Sequence, residues 1–184
     1  MIKAIITDFD GTLVDTFEAN YHAYREAFRQ VCHLEFDYDF YFSNFGLRID
    51  DICKLMNIYD QSILKEIKKV KAECYPNYFE YIRINNNLLS IFKYLKTQGI
   101  KIALGTTAAH KNLYNVLNYL GFTGFFDLIV CGDDVKKGKP DPEVYNVAME
   151  KLGVKPNEVL IFEDSTAGIE AAENAGGNII KIRM

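Results

Sequence analysis

Short apolar runs and longer stretches of helical periodicity follow one another along most of the chain. The apolar runs are rich in β-branched residues, as strands buried on both faces are, and they lie at residues 3–8, 100–104, 127–131, 158–162 and 178–182. The helical patterns between them lie at residues 88–98, 111–120, 142–153 and 167–175. Strands that alternate with helices favour a parallel sheet covered on both faces. We therefore predict an α/β fold with a Rossmann-like, doubly wound parallel sheet as its core.

The middle of the chain has a different pattern. Aromatic residues are frequent after residue 36, helical periodicity continues over residues 50–59 and 61–74, and no strand-like run occurs. We predict that residues 16–83 form an all-helical insert, and that residues 1–15 and 84–184 together form the α/β core. The aromatic residues between positions 36 and 45 are expected to form the core of the insert.

Composition and charge restrict the possible partners. The 184 residues are 49% hydrophobic and 25% charged, with a formal net charge of -4 at pH 7, which is typical of a globular domain. Lysine and arginine are scattered, so a nucleic acid or an anionic membrane is not expected as a partner. No apolar run is long enough for a signal peptide or a membrane span. We therefore expect a cytoplasmic protein.

Cysteine and histidine carry no recognisable pattern in the sequence. The four cysteines are far apart and form no CxxC pair, so we expect reduced thiols rather than a zinc site or a disulfide framework. These residues are Cys32, Cys53, Cys74 and Cys131. The three histidines, His22, His33 and His110, are expected to be surface or helix residues.

Polar residues directly follow four of the predicted strands. They are Asp8 and Asp10, Thr106 and Thr107, Asp133 and Asp134, and Glu163 and Asp164. Ligands of open α/β sheets bind beyond the carboxyl ends of the strands, so we expect these side chains to converge at one edge of the sheet. Asp133 and Asp134 either cap the next segment or lie near a metal. This edge is the predicted functional site.

The chemistry of the predicted site depends on its carboxylates. Asp8, Asp10, Glu163 and Asp164 would repel one another unless a cation lay among them. Oxygen ligands of this kind favour Mg²⁺ over zinc. Together with a lysine and hydroxyl groups nearby, such a site is suited to a phosphoryl group. One carboxylate could act as the nucleophile and a second as the general acid and base.

Four segments resemble, in order, the four motifs of the haloacid dehalogenase superfamily. The first is DFDGTLVDT at residues 8–16, and the second is the strand end LGT at 104–106. The third is GKPDP at 138–142, and the fourth is IFEDSTAGI at 161–169. The resemblance extends from residue 1 to about residue 182. Within the superfamily, the sequence resembles the branch of phosphoglycolate phosphatases and β-phosphoglucomutases, whose members carry a helical cap after the first motif.

The resemblance implies a role for each matching residue in the chemistry. Asp8 would be the nucleophile and a Mg²⁺ ligand. Asp10 would be the acid and base, and its backbone carbonyl would also contact the metal. Thr106 and Lys139 would hold the phosphoryl oxygens. Thr107 is the alternative to Thr106 as the phosphate-binding hydroxyl.

The resemblance also implies further metal ligands and a cap. Asp164 would ligate Mg²⁺, and Glu163 would ligate it directly or through water. The helical insert resembles the mobile cap that closes over the substrate in this family. Within it, Arg48 is a candidate for contact with the substrate, and a solvated arginine at the start of a helix is the alternative.

The resemblance favours hydrolysis of phosphate esters. Dehalogenase and phosphonatase members do not keep an acid/base aspartate at the position of Asp10. We predict a Mg²⁺-dependent phosphatase that acts on a small phosphorylated metabolite through an aspartyl-phosphate on Asp8. A phosphomutase of the β-phosphoglucomutase type and a non-catalytic module with the same fold are the alternatives, although Asn20 stands where mutase members have a histidine. The substrate and the oligomeric state cannot be read from the sequence.

Overall fold

Seven strands form two sheets within residues 1–183, the part of the chain that the computed structural model describes. The strands are β1 (Ala4–Thr7), β2 (Val14–Asp15), β3 (Arg83–Ile84), β4 (Lys101–Gly105), β5 (Leu128–Val130), β6 (Val159–Glu163) and β7 (Asn178–Lys181). Five of them form a sheet of order β5-β4-β1-β6-β7 in which all neighbours are parallel. Strands β2 and β3 form a small antiparallel pair. The predicted α/β fold with a parallel sheet is confirmed.

Most of the helices occur where the sequence periodicity predicts them, but a short helix at residues 38–43 lies in the aromatic stretch, to which no helical pattern was assigned. The helices are α1 (Phe17–Cys32), α2 (Tyr38–Ser43), α3 (Ile49–Leu55), α4 (Gln61–Cys74), α5 (Asn86–Thr97), α6 (His110–Tyr119), α7 (Glu143–Leu152) and α8 (Thr166–Asn174). Short 3₁₀ segments occupy Tyr75–Tyr81, Gly132–Asp134 and Pro156–Glu158. Helix α7 begins directly after Pro142 and ends at Gly153, which has a left-handed conformation with φ of 68°. Both residues favour these positions for their backbone geometry.

The chain divides into two units. One contains Met1–Asp15 and the chain from Arg83 onward, and the other is Thr16–Ile82. The sequence assigned Arg83 to the helical insert, whereas the structure places it in the α/β unit. The reason is that Arg83 pairs with Asp15 in the ladder between β2 and β3.

Both faces of the five-stranded sheet are covered by helices. On one face, Ile6 and Ile161 of the sheet belong to an apolar cluster with residues of α7 and α8, whose small side chains are Ala148, Ala171 and Ala172. On the other face, Phe92 of α5 packs edge-on against Phe162 with ring centroids 5.1 Å apart. Successive residues of a strand point to opposite faces, so Ile161 and Phe162 contact different layers. The sheet is therefore buried on both sides, as its apolar runs predict.

The helical unit has an aromatic core of its own. The rings of Phe28 and Phe36 stack with centroids 4.7 Å apart, and Tyr41 is buried in the same cluster. Phe42 is 67% exposed, so only part of the predicted aromatic segment is internal. None of the helices within residues 1–183 combines the length and the apolar character that a membrane span needs.

The connection from β3 to α5 depends on Asn85. Its side-chain oxygen accepts a hydrogen bond of 3.1 Å from the backbone N–H of Leu88 and so caps α5. Its amide group also donates to the backbone carbonyl of Thr12 at 3.4 Å. Asn85 thus links the start of α5 to the loop that follows β1.

Replacing Asn85 by alanine should destabilise the fold. The loss of a helix cap costs about 1 kcal/mol, so the Asn85→Ala variant should unfold at a lower denaturant concentration with an unchanged slope. Asn87→Ala is the matched control, because Asn87 is exposed within the same helix. Equal stability of the two variants in a urea titration would show that the cap does not contribute.

Candidate active site

Asp8 lies at the middle of the carboxyl edge of the sheet. It follows β1, the central strand, and its backbone N–H donates to the carbonyl of Phe162 on the neighbouring strand β6 at 2.9 Å. The chain then turns back sharply, because Gly11 has φ of 97° and donates to the carbonyl of Val14 at 2.8 Å. A positive φ is easily adopted only by glycine. This turn keeps Asp8 and Asp10 at the sheet edge.

Lys139 joins two carboxylates of this edge. Its ammonium lies 2.6 Å from Oδ1 of Asp8 and 2.5 Å from Oε1 of Glu163, and it also donates to the carbonyl of Gly105 at 3.1 Å. The lysine side chain is only 5% exposed. Burial disfavours its charge, but the carboxylates of Asp8 and Glu163 outweigh this effect and raise the pKa of Lys139 well above its usual range. Lys139 is therefore a buried cation at neutral pH.

Both carboxylate oxygens of Glu163 accept several hydrogen bonds. Besides Lys139, the hydroxyl of Tyr145 donates to Oε1 at 2.8 Å. Oε2 accepts from the backbone N–H of Asp164 at 2.9 Å and from both the N–H and the hydroxyl of Ser165 at 3.1 Å. Burial opposes ionisation of Glu163, yet Lys139 and these donors lower its pKa below the usual value. Glu163 is thus a fully buried carboxylate that holds Lys139 in place.

Asp164 is oriented by a hydroxyl from the loop after β1. The side chain of Thr12 donates to Oδ1 of Asp164 at 2.6 Å. Burial nevertheless raises the pKa of Asp164 to about 6, and the hydrogen bond from Thr12 offsets only part of this effect. Asp164 therefore carries a negative charge that the neighbouring residues do not fully compensate.

Asp8 has the same excess of negative charge around it. Burial raises its pKa well above the usual value, Lys139 lowers it, and the carboxylates of Glu163, Asp164 and Asp10 raise it further. Oxygens of Asp8, Glu163 and Asp164 all lie within 4.8 Å of one another. Several carboxylates around one ammonium form a set of hard oxygen donors, and such a set fits a divalent cation such as Mg²⁺.

The two threonines after β4 lie at the same edge. Leu104 is in register with Thr7, so the two parallel strands bring Gly105 beside Asp8, and Thr106 is the next residue along the same edge. The Thr106 side chain is buried, and its oxygen accepts from the backbone N–H of Ala108 at 3.1 Å. Thr107 is partly buried, and a Cβ on Gly132 would come within 2.3 Å of its backbone carbonyl oxygen.

Two other residues named from the sequence have positions defined by their own local structure. A side-chain oxygen of Asp133 accepts from the backbone N–H of His110 at 2.7 Å, so it caps the start of α6. Arg48 immediately precedes α3 in the helical unit. The structure therefore brings together Asp8, Glu163, Asp164 and Lys139, with Asp10 close by. Asp133 instead accepts a hydrogen bond from the backbone at the start of α6.

Comparison with known proteins identifies the family. The family model of haloacid dehalogenase-like hydrolases matches residues 5–182. A phosphorylated carbohydrates phosphatase of Thermotoga maritima is 32% identical over 179 residues, which is 95% of this chain and 82% of that protein. The chain belongs to the haloacid dehalogenase-like hydrolase family. The resemblance stated from the four motifs is thereby confirmed.

Solved structures of haloacid dehalogenase-like proteins share the whole fold. The structure of CbbY from Rhodobacter sphaeroides in complex with phosphate has a TM-score of 0.89 and 26% identity, and the match covers 100% of this chain and 87% of that one. A putative β-phosphoglucomutase from Thermotoga maritima has a TM-score of 0.75 and 32% identity, with 100% and 86% covered. Both relationships extend over the α/β unit and the helical unit.

Two residues of this haloacid dehalogenase-like site were not singled out from the sequence. Thr12 belongs to the first motif, but nothing in its position reveals a contact with Asp164 across the site. Tyr145 lies on the apolar face of α7, where an aromatic residue is expected simply to pack. Its hydroxyl contact with Glu163 depends on how α7 lies against the sheet.

Gly168 is the position at which a small change should disturb the site most. A Cβ there would lie 1.9 Å from the Glu163 carboxylate, so Gly168→Ala must displace the group that holds Lys139. A displacement of about 1 Å in a catalytic arrangement can cost about 100-fold in rate. We expect kcat of Gly168→Ala for a phosphate ester to fall by that order.

The control for Gly168→Ala is Thr166→Ala, an exposed position in the first turn of the same helix. It should keep nearly full activity. Cooperative thermal unfolding of both variants should be checked, so that a loss of rate can be separated from a loss of folded protein. Full activity of Gly168→Ala would show that the exact position of Glu163 is unimportant.

Proposed function

We propose that this protein is a Mg²⁺-dependent phosphatase that hydrolyses a small phosphorylated metabolite through an aspartyl-phosphate on Asp8. The observation that carries the proposal is the contact of Lys139 with Asp8 inside a cluster of carboxylates at the carboxyl edge of the sheet. This arrangement combines a nucleophile with positive charge for the phosphoryl oxygens.

The predicted enzyme class, a phosphoric ester hydrolase of the haloacid dehalogenase-like family, is confirmed. The family model matches almost the entire chain, and several of the relatives are named phosphatases or pyrophosphatases. The metal, the covalent intermediate and the residue roles are the parts that we propose.

In the first step, a carboxylate oxygen of Asp8 attacks phosphorus and the P–O bond to the leaving group breaks. The leaving alcohol oxygen takes a proton from Asp10. In the second step, water attacks the phosphorus of the aspartyl-phosphate, gives a proton to Asp10, and releases inorganic phosphate from Asp8. Lys139 and the hydroxyl of Thr106 or Thr107 neutralise and orient the phosphoryl oxygens throughout.

Asp8, the backbone carbonyl of Asp10, and Asp164 are proposed to hold the metal. Bound Mg²⁺ would supply positive charge to the phosphoryl group and would relieve repulsion among the carboxylates. We propose that the main role of Glu163 is to position Lys139, because both carboxylate oxygens of Glu163 already accept hydrogen bonds from protein groups. Any contribution of Glu163 to the metal would then be through water.

Phosphorylated carbohydrates are the substrates that we propose to test first. One relative of Thermotoga maritima is named a phosphorylated carbohydrates phosphatase. A variant of CbbY from Rhodobacter sphaeroides, with a TM-score of 0.89 to this chain, is known in complex with xylulose-1,5-bisphosphate. The helical unit, including Arg48, is proposed to act as the cap that selects among such esters.

A phosphomutase is the second candidate. It is favoured by the structural similarity to β-phosphoglucomutases, among them that of Clostridium difficile with a TM-score of 0.85 and 28% identity. The two activities differ in their products. A phosphatase releases inorganic phosphate, whereas a mutase converts one sugar phosphate to its isomer, and ³¹P NMR of the reaction mixture distinguishes the two.

Replacing the proposed nucleophile should abolish turnover. Asp8→Asn removes the attacking oxyanion, so phosphate release should fall by at least about 1,000-fold. Glu173→Gln, an exposed position on α8, is the control with the same change of charge. Turnover by Asp8→Asn at the wild-type rate, with the variant folded, would exclude the covalent mechanism.

The metal site can be tested through stability as well as activity. Burial raises the pKa of Asp164 to about 6, above its usual 3.8, so the native state holds this proton more tightly than the unfolded chain does. In the absence of metal, the stability contributed by this group is therefore present at low pH and is lost as pH rises through about 6. Bound Mg²⁺ should prevent this loss of stability, because its positive charge stabilises the ionised carboxylate of Asp164.

We therefore expect the Tm of a metal-free Asp164→Asn variant to exceed that of wild type by an amount that grows from about pH 4 to about pH 6 and is constant at higher pH. Mg²⁺ should raise the Tm of wild type at pH 8 and should raise that of the variant much less. EDTA should inactivate the wild-type enzyme, and Mg²⁺ should restore it. An equal effect of Mg²⁺ on the Tm of both proteins would place the metal elsewhere.

A further inference from the structure

A second cluster of metal-ligand atoms lies at the end of β5, apart from the carboxylate site. A ring nitrogen of His110, Sγ of Cys131 and a carboxylate oxygen of Asp134 all lie within 4.8 Å of one another. His110 begins α6, Cys131 follows β5, and Asp134 ends the adjoining 3₁₀ segment. Strand β4 separates β5 from β1, so the cluster lies roughly 10 Å along the sheet edge from the strand that carries Asp8.

The composition of the α/β unit makes the proximity of His110 and Cys131 informative. In the sequence, His110 is the single histidine and Cys131 the single cysteine of residues 1–15 and 83–184, since the others all fall in residues 16–82. The fold brings these two residues together although they are far apart in the chain, and it adds a carboxylate. The proximity is thus not a result of an abundance of histidine or cysteine in this unit.

Local hydrogen bonds hold the three side chains in this arrangement. One oxygen of Asp134 accepts from the backbone N–H of Cys131 at 2.7 Å, and the other lies 3.1 Å from Nε2 of His110. The backbone N–H of Asp134 in turn donates to the sulfur of Cys131. The cap from Asp133 fixes the backbone of His110. The ligand atoms are therefore positioned by the backbone of β5 and α6 before any ion arrives.

We propose that His110, Cys131 and Asp134 form a Zn²⁺ site that is separate from the catalytic metal site. Thiolate and imidazole are ligands that Zn²⁺ accepts and Mg²⁺ does not favour. Three protein ligands leave the fourth tetrahedral position to a water molecule, which approaches from the partly exposed side of His110 and Asp134. The site also links β5 to the start of α6, so an ion bound there stabilises this part of the α/β unit.

Formation of this site involves a proton as well as the ion. The S–H bond of Cys131 breaks, the bond from Sγ to zinc forms, and the proton passes to solvent. Burial raises the pKa of the Cys131 thiol to about 12, so the thiol stays protonated and unreactive when no ion is bound. The ordinary alternative is a hydrogen bond between His110 and Asp134 beside a buried thiol, with no affinity for metal. From the absence of a CxxC motif we expected reduced thiols and no zinc site, so the proposal departs from that expectation.

Cobalt is the probe that separates the two possibilities. Co²⁺ adopts the geometry of Zn²⁺ in such sites, and a thiolate ligand gives a charge-transfer band in the near ultraviolet that oxygen ligands do not give. The full-length protein should develop this band with about one equivalent of Co²⁺, and Zn²⁺ should abolish it. Asp164→Asn should retain the band, because the catalytic site contains no sulfur ligand.

His110→Ala and Cys131→Ser should both lose the band and bind Zn²⁺ at least about tenfold more weakly, since even outer-shell changes cost 10-fold to 100-fold. His22→Ala and Cys74→Ser are the matched controls in the helical unit and should behave as wild type. His110→Ala keeps all four thiols and changes a partly exposed side chain, so it remains decisive if Cys131→Ser fails to fold. No thiolate band in wild type, or an undiminished band in His110→Ala, would overturn the proposal.

Discussion

The ammonium of Lys139 lies between the carboxylates of Asp8 and Glu163, and the arrangement of the catalytic edge depends on this contact. A buried ion pair is stable only when its remaining hydrogen-bonding capacity is satisfied. Here Tyr145, Asp164 and Ser165 donate to Glu163, and the carbonyl of Gly105 accepts from Lys139. The contact of Lys139 with Glu163 thus links the third motif directly to the fourth. Removal of either partner would leave a buried charge without compensation.

The excess of carboxylates over cations at this edge is the second constraint. Asp8 and Asp164 both have raised pKa values because burial and neighbouring carboxylates disfavour their charged forms. A protein gains nothing in stability from such crowding alone. The crowding is understandable if the edge has been shaped for a divalent cation and a phosphoryl group, whose opposite charges balance in the working complex. Function and stability therefore make opposing demands on the same residues.

The cluster of His110, Cys131 and Asp134, which we propose as a zinc site, differs in its chemistry from the carboxylate site at the same sheet edge. Its ligands are a thiol, an imidazole and one carboxylate, whereas the catalytic set consists of oxygen donors beside an ammonium. The two clusters lie on different strands of one sheet, and their donor chemistry favours different ions. The two proposed sites would therefore separate two metals by ligand type within one sheet.

Most of the fold follows from the sequence, because hydrophobic periodicity directly reflects burial in strands and helices. The four motifs, in order, also identified Asp8, Asp10, Asp164 and Lys139 as candidates through their resemblance to the family. The three aspartates also follow strands, and ligands of α/β sheets bind at that edge. What the sequence could not supply are contacts between distant segments. The hydroxyl of Thr12 on Asp164, that of Tyr145 on Glu163, and the meeting of His110 with Cys131 exist only when strands and helices have packed. Such contacts are set by register and helix placement, which depend on many residues at once, and so only the tertiary structure decided them.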